Sequence, residues 1–236
     1  MITKETASKV LAKAMRNGAD LAEIYIEDTM QMNLSMQESK LERAIRGSDR
    51  GAGVRVFFGN LVTYAFTDDL SEESLLKAAE AAGAAGTGNA KSQMIDLTTQ
   101  DSALNFPVEK SFDAMSIAEK ADLLKQVDEK ARGYSPHVVQ VVPVYREKHR
   151  KVWIFNSEGI AVEDDRSFTE FMVSVNAQKD GVFQNAFSGF GGRVGLELFD
   201  NNDPIQQAQE AAESAVKMLD ARPCPAGEMT VVICNG

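Results

Sequence analysis

Cysteine is close to absent. Cys224 and Cys234 are the only two in 236 residues, so no disulfide framework holds this chain together. Histidine is equally scarce. His137 and His149 lie on or beside β-type runs, with no His or Cys three or four residues away. A zinc site needs three or four donors converging tetrahedrally. Only a long-range set of His137, His149, Cys224 and Cys234 would supply one, and structural or surface histidines are the simpler reading. Long hydrophobic runs are missing too: none approaches the roughly 18 residues of a membrane span. No apolar signal core follows Met1-Ile2-Thr3-Lys4-Glu5. These absences together point to the cytoplasm and away from a membrane.

Positive charge is in deficit. Lys and Arg number 25 against 35 Asp and Glu, a formal net charge of -10. Direct nucleic-acid binding is therefore not expected, because phosphate recognition needs clustered positive charge. The run Arg146-Glu-Lys-His-Arg-Lys151 is a local basic patch that reads as a solvated strand end or turn.

Motifs of known chemistry are also lacking. No Gly-x-Gly-x-x-Gly follows a strand and opens a helix, and no P-loop lysine motif occurs. Asp68-Asp69 and Asp164-Asp165 are adjacent pairs, and neighbours on a strand point to opposite faces, so neither makes a carboxylate dyad. No Ser/His/Asp or Cys/His constellation emerges. The glycine-rich stretch Ser188-Gly189-Phe190-Gly191-Gly192-Arg193 has no helix after it to aim at an anion. It reads as a flexible turn or bulge. Close approach of a peptide or partner backbone is the functional alternative, which makes Gly189, Gly191, Gly192 and Arg193 the candidate substrate- or partner-approach residues.

What is present is ordinary globular composition, 44% apolar and 25% charged, in a clear order. Ala7, Val10, Leu11, Ala14 and Met15 mark a first helix, closed by Asn17-Gly18. The period then becomes two: Ala22, Ile24, Ile26, Met30, Met32, Leu34 and Met36 share one face of a strand or strand pair, packed on a core. Asp28 breaks that set and suggests a bulge or bend. Strands follow at 41–46, 54–58 and 61–66, the last two joined by Gly59-Asn60. Ser71 caps a helix through Leu75, Leu76, Ala79 and Ala82. From there to about Lys110 no period persists.

The second half repeats the plan. A capping box, Ser116-Ile-Ala-Glu119, opens a helix through Leu124, Val127 and Ala131. Strand-like runs follow at 138–145, 151–155, 160–163, 168–178 and 182–187. Pro143 belongs at an edge or bulge. Asp203-Pro204 starts a last helix with Ile205, Ala208, Ala212, Ala215, Val216 and Leu219 as its buried stripe. The final run, Met229 to Cys234, reads as the opening strand of a further domain. The expected class is α+β: two successive helix, antiparallel meander, helix units. The expected domains are 1–90, a linker at 91–110, a middle domain at 111–222, and the start of a third at 223–236.

Five segments carry a family resemblance. Gly18-Ala-Asp-Leu-Ala-Glu-Ile-Tyr25, Gly51-Ala-Gly-Val-Arg-Val56 and Ala65-Phe-Thr-Asp-Asp-Leu-Ser-Glu-Glu73 resemble the N-terminal domain of TldD/PmbA proteins. Ser188 to Gly195 looks like the glycine-rich part of their middle domain, and Pro225 to Val232 like the entry to their third. The resemblance runs the whole chain in the right order. It implies a zinc-dependent peptidase acting with a PmbA-type (TldE) partner on peptide substrates, among them modified peptides and an antitoxin. It also carries an older description as a modulator of DNA gyrase. The family's metal ligands fall in a His-Glu-x-x-x-His helix beyond residue 236, so no catalytic or metal residue is carried over. The implied role of this chain is the non-catalytic N-terminal portion of a TldD-like zinc metallopeptidase, inactive alone. The alternatives are a PmbA-type partner subunit or a stand-alone interaction module.

Overall fold

A computed structural model describes residues 2–89, 95–100, 106–223 and 225–234. The elements run α1 (Lys4–Ala14), β1 (Leu21–Gln37), β2 (Lys40–Phe58), β3 (Leu61–Thr67), α2 (Glu72–Gly83), β4 (Thr98–Gln100), α3 (Ile117–Gly133), β5 (Val138–Asn156), β6 (Ile160–Lys179), β7 (Val182–Gly192) and α4 (Pro204–Met218). This is the expected α+β class.

The caps are where the sequence puts them. Ser116 accepts from the Glu119 amide while Glu119 reaches back to the Ser116 amide. Asp203 caps α4 with Pro204 in its first turn, Ser71 caps α2, and Gly18 closes the first helical segment at φ 82°.

The halves are not separate sheets. One seven-stranded sheet runs in the order β3-β2-β1-β5-β6-β4, with β7 also on β6. β1 pairs antiparallel with β5 from Glu23↔Asn156 to Ser35↔Val144 and so joins the two halves. The short strands expected within each half merge into long ones. Runs 41–46 and 54–58 are one strand, β2, as are 138–145 with 151–155 and 160–163 with 168–178. Polar residues interrupt each run without ending the ladder, because both neighbours continue through. Asp28 marks no bulge: the β1–β2 register shifts only at Ser35/Met36. Pro143 lies just past the end of β1 pairing, which stops at Ser35↔Val144, so β5 is locally an edge there.

The turn between β1 and β2 carries no glycine. Glu38 and Ser39 take φ of 50° and 58°, and Ser39 Oγ donates to Asp128 Oδ2 at 2.6 Å, which fastens the turn to α3. Met229, Val231, Val232 and Ile233 form no strand. They are exposed, Ile233 at 89%, because no described strand lies beside them to complete a ladder.

Two cores sit on one face of the sheet. The first joins α1 and α2 to Ala22, Ile24, Ile26, Val54, Val56, Trp153 and Phe155, together with Ile95 and Leu97. The second joins α3 and α4 to Met32, Leu34, Met36, Val141, Tyr145, Phe171 and Val173. β1 and β5 each serve both cores. Ile24→Ala in one core and Leu34→Ala in the other should each cost about 2–5 kcal/mol. Because the strands are shared, each variant should still melt in a single transition by circular dichroism. Two separated transitions would show the cores to be independent.

Candidate functional site

Between the two pairs of helices no described helix covers the inner face of the sheet. Three cross-strand rows lie there: Arg46–Met32–Glu147, then Ser48–Met30–His149–Ser167, then Arg50–Asp28–Lys151–Asp165. The polar Asp28 that interrupts the apolar alternation marks this gap. A core residue is not wanted where no helix covers the sheet. The segment 106–113 walls the gap and leaves a cleft of 490 Å³ lined by Met30, Met32, Arg46, Phe106, Phe112, Asp113, Glu147, His149, Asp165 and Ser167, among others.

A buried polar network forms its floor. Lys120, 2% exposed, reaches from α3 to Glu147 Oε2 at 2.7 Å and donates to the Phe112 carbonyl at 2.8 Å. The Tyr145 hydroxyl donates to the same Oε2. Burial, reinforced by Glu147, holds the Tyr145 phenol far above its ordinary pKa. At the mouth, His149 Nε2 lies 2.5 Å from Asp165 Oδ1, and Lys151 Nζ is 3.7 Å from Oδ2. The wall is pinned by Glu197, which accepts from the amides of Lys110 at 2.9 Å and Gly195 at 2.8 Å. Burial pushes the Glu197 carboxyl up, and these backbone amides outweigh it, so its pKa lies below the usual value.

The glycine-rich stretch is a strand, not a turn or bulge. Gly189, Gly191 and Gly192 lie in β7, paired to Met172, Glu170 and Thr169 of β6. A side chain at Gly189 would sit 2.5 Å from the Phe171 carbonyl oxygen, so the chain's own β6 accounts for that glycine. Arg193 Nη2 donates to Asp164 Oδ1 at 2.9 Å, and its guanidinium lies 4.5 Å from the centre of the Phe106 ring. The other edge of β7 pairs with no described strand.

The residues in hand do not fit a zinc ion. His137 precedes β5 and His149 lies in its middle, roughly 40 Å apart at strand rise. Cys234 is exposed in the 225–234 segment, and Cys224 falls outside the described residues. No group of three His, Cys, Asp or Glu is placed to hold a metal among the described residues.

Sequence reading missed Lys120 and Arg46, and it took Asp165 only as one of an adjacent pair. The run Arg146–Lys151, read as a solvated strand end or turn, is mid-strand in β5, with Glu147 buried in it. One signal was available: Lys120 occupies the buried stripe that continues through Leu124, Val127 and Ala131. A charge there needs a buried partner.

The architecture defines a class: an open sheet backed by helices on one face, shared by two consecutive family domains. Residues 22–86 match the family described as PmbA/TldA metallopeptidase domain 1, and residues 110–219 match its central domain. The chain belongs to the TldD/PmbA family. It is 24% identical over 100% of its length to the "Metalloprotease TldD homolog" of Haemophilus influenzae, covering 50% of that protein. It is also 24% identical over 92% of its length to the homologue of the same name from Buchnera aphidicola of Schizaphis graminum, covering 46%. The chain thus spans about half the length of the curated relatives it matches. A Thermotoga maritima protein described as a modulator of a DNA gyrase shares the fold at a TM-score of 0.75 and 18% identity, over 95% of this chain and 50% of that one. TldE from Thermococcus kodakarensis superposes at 0.66 with 16% identity, over 90% and 47%.

Two outcomes test the site. Lys120→Met leaves Glu147 buried without its cation and should cost about 3–5 kcal/mol, and adding Glu147→Gln should recover part of it in chemical denaturation. The folded-state pKa of Glu197 is depressed. Its contribution is therefore present above the unfolded carboxylate value and lost as pH falls through the folded one. The protection factors of the Lys110 and Gly195 amides, that is, exchange relative to the intrinsic rate at each pH, should fall as the pH drops through the depressed folded-state value, and Glu197→Gln should flatten that dependence.

Proposed function

We propose that this chain is the non-catalytic N-terminal portion of a TldD-like zinc metallopeptidase that hydrolyses peptides together with a PmbA/TldE-type subunit. The observation that carries this is the match of two consecutive metallopeptidase-family domains, in order, along a chain about half as long as the curated metalloproteases it matches. In this reading zinc belongs to the remaining half of the family pattern. It would supply Lewis-acid activation of water there, and the present residues contribute binding surface only. The work of this chain is to form one wall of the substrate chamber and part of a subunit interface.

The edge of β7 that pairs with no described strand suits that task. An extended peptide can add to an unpaired strand through main-chain hydrogen bonds, and Gly189, Gly191 and Gly192 keep the strand's surface bare of side chains. Arg193, held by Asp164, is placed at the strand's end. A PmbA-type, non-catalytic partner subunit is the second reading, favoured by the fold shared with TldE. No described helix is long and apolar enough to cross a membrane, and a cytoplasmic setting accords with the scarcity of cysteine.

Purified alone, the chain should carry no stoichiometric zinc by elemental analysis and cleave no peptide. Zinc near one per chain would overturn the assignment. Mixed with a PmbA/TldE-type subunit, it should co-elute in size-exclusion chromatography. Val232, 84% exposed, should be replaceable by Lys without loss of fold while reducing self-association through the apolar 229–234 segment.

A further inference from the structure

We infer that the cleft between the two helix pairs binds a short peptide by both of its charged ends, ammonium against Glu147 and carboxylate against Arg46. The first support is what the cleft leaves unpaired. Glu147 is 8% exposed and lines the cleft, and every hydrogen bond it accepts falls on Oε2. Its Oε1 has no partner among the described residues. Ser167, 7% exposed, also lines the cleft with an unpartnered hydroxyl. Arg46 makes no hydrogen bond or ion pair among the described residues. Glu147 Oε1 and the Ser167 hydroxyl both open onto the cleft and are absent from the fully buried unpaired atoms of the described residues, so a ligand can reach them by displacing water.

The second support is spacing. Arg46, Met32 and Glu147 stand on three neighbouring strands in one cross-strand row. The outer two are therefore about 10 Å apart. An extended peptide of about three residues covers that distance. Between the charges the lining is apolar: Met30 and Met32 beneath, Phe106, Pro107, Val108 and Phe112 along the wall. Methionine adapts to varied side chains, which suits a site selecting on termini rather than sequence.

The charges balance. Lys120 already neutralises Glu147, but Asp113 at the wall is a second carboxylate without a partner among the described residues, and it offsets the incoming ammonium. Asp165 is occupied by His149 and Lys151 and is left to shape the mouth. The cleft lies wholly within this chain, so its occupancy can be measured whether or not the metallopeptidase reading holds.

The test uses the whole chain and the tripeptide Ala-Leu-Ala in three forms: free, N-acetylated and C-amidated. Calorimetry should show saturable binding of the free form, weakened roughly tenfold by capping either end, since each cap removes one charge-assisted hydrogen-bond set. Arg46→Met, at an exposed and unpartnered side chain, should abolish the difference between free acid and amide and keep the penalty for acetylation. The methyl resonances of Met30 and Met32 should shift on titration. No binding up to about 10 mM, below any useful affinity, would overturn the inference. So would equal affinity for capped and free peptides, an unchanged acid–amide difference in Arg46→Met, or shifts confined to residues outside the cleft.

Discussion

The antiparallel pairing of β1 with β5 is the constraint on which the rest of the structure depends. It runs from Glu23↔Asn156 to Ser35↔Val144, between strands that begin more than a hundred residues apart. Each strand is long enough to serve two cores, and alternation of side chains forces both cores onto the same face. Ile24 and Ile26 enter the first, Leu34 and Met36 the second. Cut that ladder and each half keeps a three-stranded meander and two helices, but neither keeps the continuous sheet on which both cores rest.

The cleft is a consequence of the same geometry. Two helix pairs spaced along strands of 17 to 20 residues leave an uncovered band between them. A broad apolar band there would expose a patch to water, and the inward positions are mostly polar, Asp28, His149, Lys151 and Asp165, with Met30 the apolar exception at 45% exposure. Deeper in the floor, where α3 closes over the sheet, Glu147 is retained only because Lys120 and Tyr145 satisfy it. Buried ion pairs of this kind add little net stability over a hydrophobic replacement, while breaking one is costly. The pair is better understood as holding a carboxylate in a fixed position at the cleft than as a stabilising device.

Much of the local structure was legible because it depends on short-range chemistry. The Ser116–Glu119 box, the Asp203-Pro204 start and the Gly59-Asn60 turn all follow from hydrogen bonds and φ preferences within a few residues. The family segments were legible for the same reason, as local strings in a fixed order. The Glu38-Ser39 turn was not legible, because its positive φ angles sit on residues that rarely adopt them and are supported by Asp128, 89 positions away. The glycine-rich stretch looked like a loop because glycine weakens a strand, and only the proximity of β6 to Gly189 explains its place in one.

The sequence by itself determined the helices, the strand faces, the α+β class and the family. Periodicity and capping are written in neighbouring residues, and they suffice for those. Only the tertiary structure decided that two repeated plans share one sheet, that Asp28 marks a gap and not a bulge, and that Lys120, Glu147, Arg46 and Ser167 meet at one cleft. Those facts depend on which distant strand supplies each hydrogen-bond partner, and on where the helices stop covering the sheet. A single sequence does not encode either as a local pattern.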